Sequence, residues 1–283
     1  MEYVFDTLSN LLHQTAFFNL TWGNYVMILV ACVFLYLAIA KGYEPLLLLP
    51  IAFGMLLVNL APDLYNNGQD GEAMGLLYSF HKGVEWEIFP PLIFLGIGAT
   101  TDFGPLISRP SSLLLGAAAQ VGIFVTFFGA LLLGFNALEA ASIGIIGAAD
   151  GPTAIMVANT LNTKYLGPIT VAAYCYMALV PLIQPAVIKL CTTKQERLIR
   201  MEYNPQNVSK TTKIIFPIAI TLIAGLLAPA SVSLVGFLMF GNLLRECGVL
   251  DSLSETASKT LTNLITLLLG ITISFSMQAE SFV

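Results

Sequence analysis

A single carboxylate stands in the otherwise uncharged stretch GIIGAADGPTAIM, which runs from Gly144 to Met156. The stretch is apolar enough for a membrane helix, yet Asp150 is followed by Gly151 and Pro152, two residue types that interrupt helices. The sequence therefore predicts a helix that breaks at its only charge.

The predicted break has the chemistry of a cation site. The helix before it would end in carbonyl groups without partners, and the helix after it would begin with unpaired amides. Carbonyl oxygens and a carboxylate bind small hard cations, and sodium suits them better than a soft metal. A charged side chain at the bilayer centre costs about 2.5–3.5 kcal/mol, which favours a functional role for Asp150. The alternative is an Asp that only caps the second helix.

Three further polar residues are candidate sodium ligands. Thr153 follows Asp150 by three residues, and Tyr176 lies with Tyr174 on the next apolar run, in AAYCYMALVPLIQP. A phenol hydroxyl ligates a cation or transfers a proton, whereas the alternative is a buried Tyr bonded only to the backbone. Asn242, in the motif FGNLLRECG, is the third candidate.

The motif GIGATTDFGP (96–105) has the same arrangement, with Asp102 followed by a Gly and a Pro. Asp102 is either the centre of a second break or a helix-end acid at the membrane interface. In the motif that holds Asn242, Arg245 and Glu246 are adjacent and point in different directions on a helix. Each is therefore expected to have another partner.

The composition is that of a membrane protein. Of the 283 residues, 57 % are hydrophobic and 10 % are charged, whereas soluble domains carry about 25 % charged residues. The net charge of −5 gives no indication of a nucleic-acid partner. Apolar runs predict crossings near residues 25–40, 44–60, 88–107, 112–136, 165–189, 214–228, 231–246 and 261–280, with a broken crossing at 138–162.

The predicted organisation has four parts: an interfacial N-terminal segment (1–24), a first membrane half with the broken-helix site (25–190), a basic loop (191–213) and a second membrane half (214–283), which we expect to be incomplete at its C-terminus. Six of the twelve Lys and Arg residues lie between Lys189 and Lys213. The positive-inside rule places that loop in the cytoplasm.

Two sequence matches indicate an internal repeat. LPIAFGMLLVNLAP (49–62) and FPIAITLIAGLLAP (216–229) agree at six of fourteen positions, and SSLLLGAAAQ (111–120) aligns with ITLLLGITIS (265–274). Inverted repeats with discontinuous helices are a common transporter plan. The predicted fold is thus an all-α polytopic membrane protein, an inverted-repeat, transporter-like bundle with discontinuous helices.

Several of these motifs resemble one known family. IAKGYEPLLLLPIAFG, GATTDFGPL, AASIGIIGAADGPTAI, AAYCYMALVPLIQP and FGNLLRECGVL are similar to the beta subunit of the sodium-translocating, biotin-dependent decarboxylases, from about Lys41 to the end of the chain. That family acts on oxaloacetate, methylmalonyl-CoA, glutaconyl-CoA or malonate.

The resemblance implies a sodium pump of the bacterial cytoplasmic membrane. It implies that the subunit decarboxylates carboxybiotin with uptake of a proton and exports sodium, with Asp150 and Tyr176 as its functional residues. The implied partners are a carboxyltransferase (alpha) subunit, a biotin carrier subunit, a small gamma- or delta-type membrane subunit and further copies of the chain. The cofactors are then sodium and biotin held by the carrier.

One difference from the family concerns the second broken motif. The family continues into a second broken motif, which the repeat offset of 154 residues would put near position 304, so we expect half of the site to lie beyond Val283. The rival functions are a sodium-coupled carboxylate transporter without chemistry and a purely structural membrane anchor.

Overall fold

The computed structural model describes residues 20–42, 45–68, 74–200 and 208–282. Within these residues the chain is helical and contains no strand. The described residues form two compact units, one made of those up to Gly83 together with those from Leu267 onwards and the other of those between Val84 and Thr266.

The helices follow in chain order: α1 (Trp22–Lys41), α2 (Pro45–Leu60), α3 (Leu76–Glu85), α4 (Phe89–Thr100), α5 (Gly104–Ser108), α6 (Leu113–Leu132), α7 (Ala137–Gly144), α8 (Gly151–Thr160), α9 (Leu166–Cys191), α10 (Lys210–Leu227), α11 (Val232–Cys247), α12 (Asp251–Glu255), α13 (Thr262–Ile273) and α14 (Ala279–Phe282). Short 3-10 segments extend α7 over Ile145–Ala148 and α13 over Ser274–Met277, and a π-helical turn, Thr256–Leu261, joins α12 to α13.

Four helical stretches are long and apolar enough to cross a membrane, namely Trp22–Lys41, Pro110–Leu132, Lys210–Leu227 and Asp251–Met277. Large apolar side chains cover their outer faces, and on α6 residues such as Leu114, Phe124 and Leu132 are exposed. An exposed apolar surface of this extent is what a lipid environment requires. The protein is an all-α polytopic membrane protein, as the composition predicted.

The first unit is built around α1 and α2. Thr21 and Asn24 form a capping box that starts α1, and Gly42, in the left-handed conformation with φ 67°, ends it. The buried residues of α2 recur at helical spacing and form one face: Leu48, Ile51, Ala52, Met55, Val58 and Asn59.

A buried amide joins α2 to the end of the chain within this first unit. Nδ2 of Asn59, which is 0 % exposed, donates to the carbonyl oxygens of Met55 and Met277, each at 2.9 Å. Its Oδ1 accepts the backbone N–H of Ala279 at 3.1 Å. Asn59 therefore satisfies backbone groups on both sides of Gln278, where the helix formed by α13 and its 3-10 extension gives way to α14.

The second unit contains the two Asp-Gly motifs. The backbones of its helices α4 and α11 touch at two glycines. A Cβ on Gly98 would lie 1.8 Å from the carbonyl oxygen of Leu238, and a Cβ on Gly241 would lie 1.9 Å from the carbonyl oxygen of Leu95. This close approach sets the position of the polar residues that follow Gly241 on α11.

The described part of the basic loop begins where α9 ends. Glu196 accepts the backbone N–H of Thr193 at 2.7 Å and its hydroxyl at 2.8 Å, and these bonds, the backbone one first, lower the pKa of Glu196. Nη1 of Arg197 donates to the carbonyl of Thr192, the C-cap of α9.

Residues 201–207 of the loop, and residues 1–19 of the predicted interfacial segment, lie outside the described residues. The division into two membrane halves remains a prediction.

Candidate functional site

The helix predicted to break at Asp150 does break there. After α7 and its 3-10 extension, Ala149 adopts the left-handed conformation (φ 55°, ψ 39°) and Asp150 is extended (φ −122°, ψ 99°). The helix restarts at Gly151, with Pro152 in its first turn, where a proline needs no hydrogen-bond partner. The sequence 138–162 is therefore a discontinuous helix.

Asp150 is the N-cap of α8. Its Oδ2 accepts the hydroxyl of Thr153 at 2.5 Å, and its Oδ1 accepts the backbone N–H of Thr153 at 3.4 Å. Asp150 is half-buried, and it lies at the end of α8 where the helix dipole favours a negative charge. A carboxylate offers about four acceptor positions, so the two bonds to Thr153 leave room for a cation. Capping and ion binding are compatible.

Glycines allow α6 to pack directly against the segment before Asp150. A Cβ on Gly147 would lie 2.4 Å from the carbonyl oxygen of Gly122, and one on Gly122 would lie 2.6 Å from that of Gly147. A Cβ on Gly144 would meet the Cβ of Phe127 at 3.2 Å. The glycines of the GIIG motif thus hold the end of the first half-helix against α6.

On the other side of the break, α9 contributes Tyr174. A Cβ on Gly151 would lie 2.6 Å from Cζ of Tyr174, so the hydroxyl end of the ring rests on the first residue of α8. Tyr174 is 3 % exposed, and its hydroxyl has no hydrogen-bond partner in the described part of the chain.

The N–H of Gly151 points to an unexpected acceptor, Sδ of Met177, at 3.2 Å. A thioether is a weak acceptor, so the first amide of α8 remains only partly satisfied. Sequence reasoning did not single out Met177, and a lone Met in an apolar helix carries no signal for such a contact.

The structure places the four residues that were proposed from the sequence in different surroundings. Asp150 and Thr153 are in direct contact. Tyr176 lies on α9 two residues after Tyr174 and is 38 % exposed. Asn242 is 1 % exposed and lies on α11, where its Nδ2 donates to the carbonyl of Thr101 at 2.9 Å.

The contact made by Asn242 lies at a second break, between α4 and α5. Asp102 accepts the backbone N–H of Gly104 at 2.9 Å as the chain turns into α5. Nη1 of Arg245 donates to the carbonyl of Thr100 at 2.6 Å. Two side chains of α11, Asn242 and Arg245, thereby satisfy carbonyl groups at the end of α4.

Ion pairs surround this second break. Nζ of Lys213, on α10, lies 3.4 Å from Asp102 and 3.5 Å from Glu246, and Nε of Arg245 lies 3.8 Å from Glu246. Arg245 and Glu246 therefore each have a further partner, as expected from their adjacent positions. Asp102, whose side chain is 48 % exposed, is held by a cation, whereas Asp150 is not in an ion pair with any described residue.

Comparison with known proteins identifies the family. The model of the Na⁺-transporting oxaloacetate decarboxylase beta subunit matches residues 23–283. The chain belongs to this family. The resemblance noted in the sequence is thereby confirmed, and both breaks lie within the matched residues.

Individual members of the beta-subunit family are closely similar. The chain is 54 % identical to the methylmalonyl-CoA decarboxylase subunit beta of Propionigenium modestum, over 95 % of the chain and 73 % of that protein. It is 52 % identical to the glutaconyl-CoA decarboxylase subunit beta of Acidaminococcus fermentans, over 100 % and 74 %. It is 41 % identical to the oxaloacetate decarboxylase beta chain of Klebsiella pneumoniae, over 98 % and 77 %.

Proposed function

We propose that the chain is the membrane subunit of a sodium pump that removes the carboxyl group from biotin and uses this reaction to export sodium. The observation that carries the proposal is the lone carboxylate of Asp150 at a helix break, in a chain of the Na⁺-transporting beta-subunit family. The similar proteins are named as decarboxylase subunits. This favours the pump over a sodium-coupled transporter without chemistry.

In this proposal Asp150 binds the sodium ion. Its carboxylate supplies the charge, and the carbonyl groups at the end of the 3-10 segment supply neutral oxygen ligands. Thr153 keeps the carboxylate oriented through its short hydrogen bond and offers a hydroxyl oxygen of its own. The positive end of α8 also attracts the negative charge of the Asp150 carboxylate.

The second break supplies a further ligand in the proposal. Asn242 uses its amide nitrogen to hold the carbonyl of Thr101, which fixes the orientation of the side chain. Its amide oxygen is the group that we assign to sodium. Asn242 is buried where α11 packs against α4. Any ion that reaches its side chain must therefore lose its bound water, as a selective site requires.

Tyr176 is the proposed proton donor. In the reaction the bond between a ureido nitrogen of biotin and the carboxylate carbon breaks, carbon dioxide leaves, and the electron pair stays on nitrogen. A proton must then bind to that nitrogen, and a phenol hydroxyl is able to deliver it. Tyr176 is 38 % exposed, so its hydroxyl is not enclosed by the chain as that of Tyr174 is.

The proposal includes partners on the cytoplasmic side. Sodium is the transported ion, and biotin arrives on a carrier subunit that a carboxyltransferase (alpha) subunit loads. A small gamma- or delta-type membrane subunit and further copies of the chain complete the complex, in a bacterial cytoplasmic membrane. The basic loop after α9 faces this side by the positive-inside rule. Three different acids appear in the names of similar beta subunits, which supports recognition of the acid by another subunit.

Sodium transport in reconstituted vesicles tests the function. The native complex is expected to take up radioactive sodium when its carboxylated substrate is supplied, and avidin, which sequesters biotin, is expected to stop the uptake. Transport of sodium that depends on a carboxylate but is insensitive to avidin would instead identify a coupled transporter. Normal transport after loss of Asp150 would identify the chain as an anchor.

A further inference from the structure

We propose that the hydroxyl of Tyr174 is a ligand of the sodium ion at the Asp150 break. The inference rests on the proposed function, which places sodium there. It assigns this role to a residue that the family resemblance did not select, since the resemblance pointed to Tyr176.

The first observation is an unsatisfied hydroxyl. Tyr174 is almost completely buried, and its hydroxyl makes no hydrogen bond to any residue that the structure describes. Buried polar groups are nearly always hydrogen-bonded, so an exception needs an explanation. A cation bound against the phenol oxygen provides one, because the oxygen then coordinates through a lone pair.

The second observation is the position of the Tyr174 ring. The ring atoms closest to the Cβ position of Gly151 are Cζ at 2.6 Å, Cε1 at 2.8 Å and Cε2 at 3.0 Å. These atoms form the hydroxyl-bearing end of the Tyr174 side chain. This end of the Tyr174 ring therefore lies against Gly151, the residue that follows Asp150, and Gly151 is a glycine because any side chain would displace the ring.

The third observation is the charge beside it. Asp150, which carries the charge at the break, directly precedes Gly151, the residue against which the ring of Tyr174 packs. A carboxylate and an unpartnered phenol oxygen that belong to adjoining residues of one break are suited to share a cation. Sodium accepts such mixed oxygen ligands.

The two tyrosines of α9 then have separate roles. Residues two apart on a helix point about 200° apart, so Tyr174 and Tyr176 cannot both face the break. Tyr174 is enclosed and suits an ion ligand that excludes water. Tyr176 is the exposed one and keeps the role of proton donor that the proposed function gives it.

The test measures sodium binding without turnover. The native complex is purified in detergent, and the rise of its melting temperature is recorded against NaCl, with choline chloride keeping the ionic strength constant. Tyr174→Phe keeps the ring against Gly151 and is expected to weaken sodium binding about tenfold, as the loss of one good ligand does. Tyr36→Phe, which removes the hydroxyl of an exposed tyrosine on α1, is the matched control and is expected to bind sodium normally.

Two outcomes would overturn the inference. One is unchanged sodium binding in Tyr174→Phe. The other is a lower melting temperature of Tyr174→Phe in the absence of sodium, since that would show that the hydroxyl has a structural partner. Asp150→Asn separates the inference from the proposed function: if it too binds sodium normally, the site itself is wrong, whereas if only Tyr174→Phe is normal, Tyr174 alone is excluded.

Discussion

The hydroxyl of Thr153 donates a 2.5 Å hydrogen bond to Oδ2 of Asp150, three residues before it and across the first turn of α8. This bond orients the one carboxylate at the break. It also links the N-cap of the helix to the proposed sodium site, so a change in Thr153 affects both.

Thr153→Val tests that link because it preserves the shape of the side chain and removes the hydroxyl. We expect a loss of stability of about 1 kcal/mol, the usual contribution of one hydrogen bond, together with weaker sodium binding. Thermal unfolding with and without NaCl measures both effects. Thr153→Ser keeps the hydroxyl and is expected to resemble the wild type. Wild-type sodium binding in Thr153→Val would show that the hydroxyl is unimportant for the site.

Gly98→Ala tests the packing that positions Asn242. The added Cβ would lie 1.8 Å from the carbonyl oxygen of Leu238, so α4 and α11 must separate. We expect destabilisation of about 1–3 kcal/mol or more, measured by thermal unfolding in detergent. Gly116→Ala is the control, since nothing lies within 4 Å of its Cβ position, and it is expected to be neutral or stabilising by up to about 1 kcal/mol. Equal effects of the two substitutions would contradict the packing described.

Asn59→Leu tests the buried amide of the first unit. The substitution leaves the N–H of Ala279 and the carbonyl of Met277 without their side-chain partner. A buried group left unsatisfied costs about 1–3 kcal/mol, so a clear drop in the melting temperature is expected. A melting temperature of Asn59→Leu equal to that of the wild type would show that the amide network does not stabilise the unit.

Local chemistry was sufficient to predict the break at Asp150. Gly151 and Pro152 act on their own neighbours, and the absence of other charges in the stretch is visible in the sequence. The composition likewise predicted a helical membrane protein, because apolar surface on this scale has no other stable environment. The sequence offered two interpretations of Asp102, and its contacts with Lys213 and Gly104 depend on packing that the sequence does not show.

Contacts between distant parts of the chain were not predictable in the same way. The amide of Asn59 bonds to Met277, 218 residues away, and Gly98 meets a carbonyl on α11. The side of α9 that faces the break depends on how that helix is rotated. Both Tyr174 and Tyr176 fit the pattern of the sequence, and packing against Gly151 distinguishes them.

The central claim is that Asp150, and not any carboxylate at a helix break, binds sodium. Asp150 and Asp102 provide a matched pair, because each precedes a glycine-containing turn into a helix, and only Asp102 is paired with a lysine. The same substitution, Asp to Asn, removes one charge from each and preserves the shape of the side chain.

The most direct measurement is the release of carbon dioxide from the carboxylated biotin carrier by the reconstituted complex, as a function of sodium concentration. Asp150→Asn is expected to assemble normally and to lose sodium-dependent release at every sodium concentration, because each turnover passes through ion binding. Asp102→Asn is expected to keep the half-saturating sodium concentration of the wild type. Sodium-dependent release by Asp150→Asn with an unchanged half-saturating concentration would contradict the account.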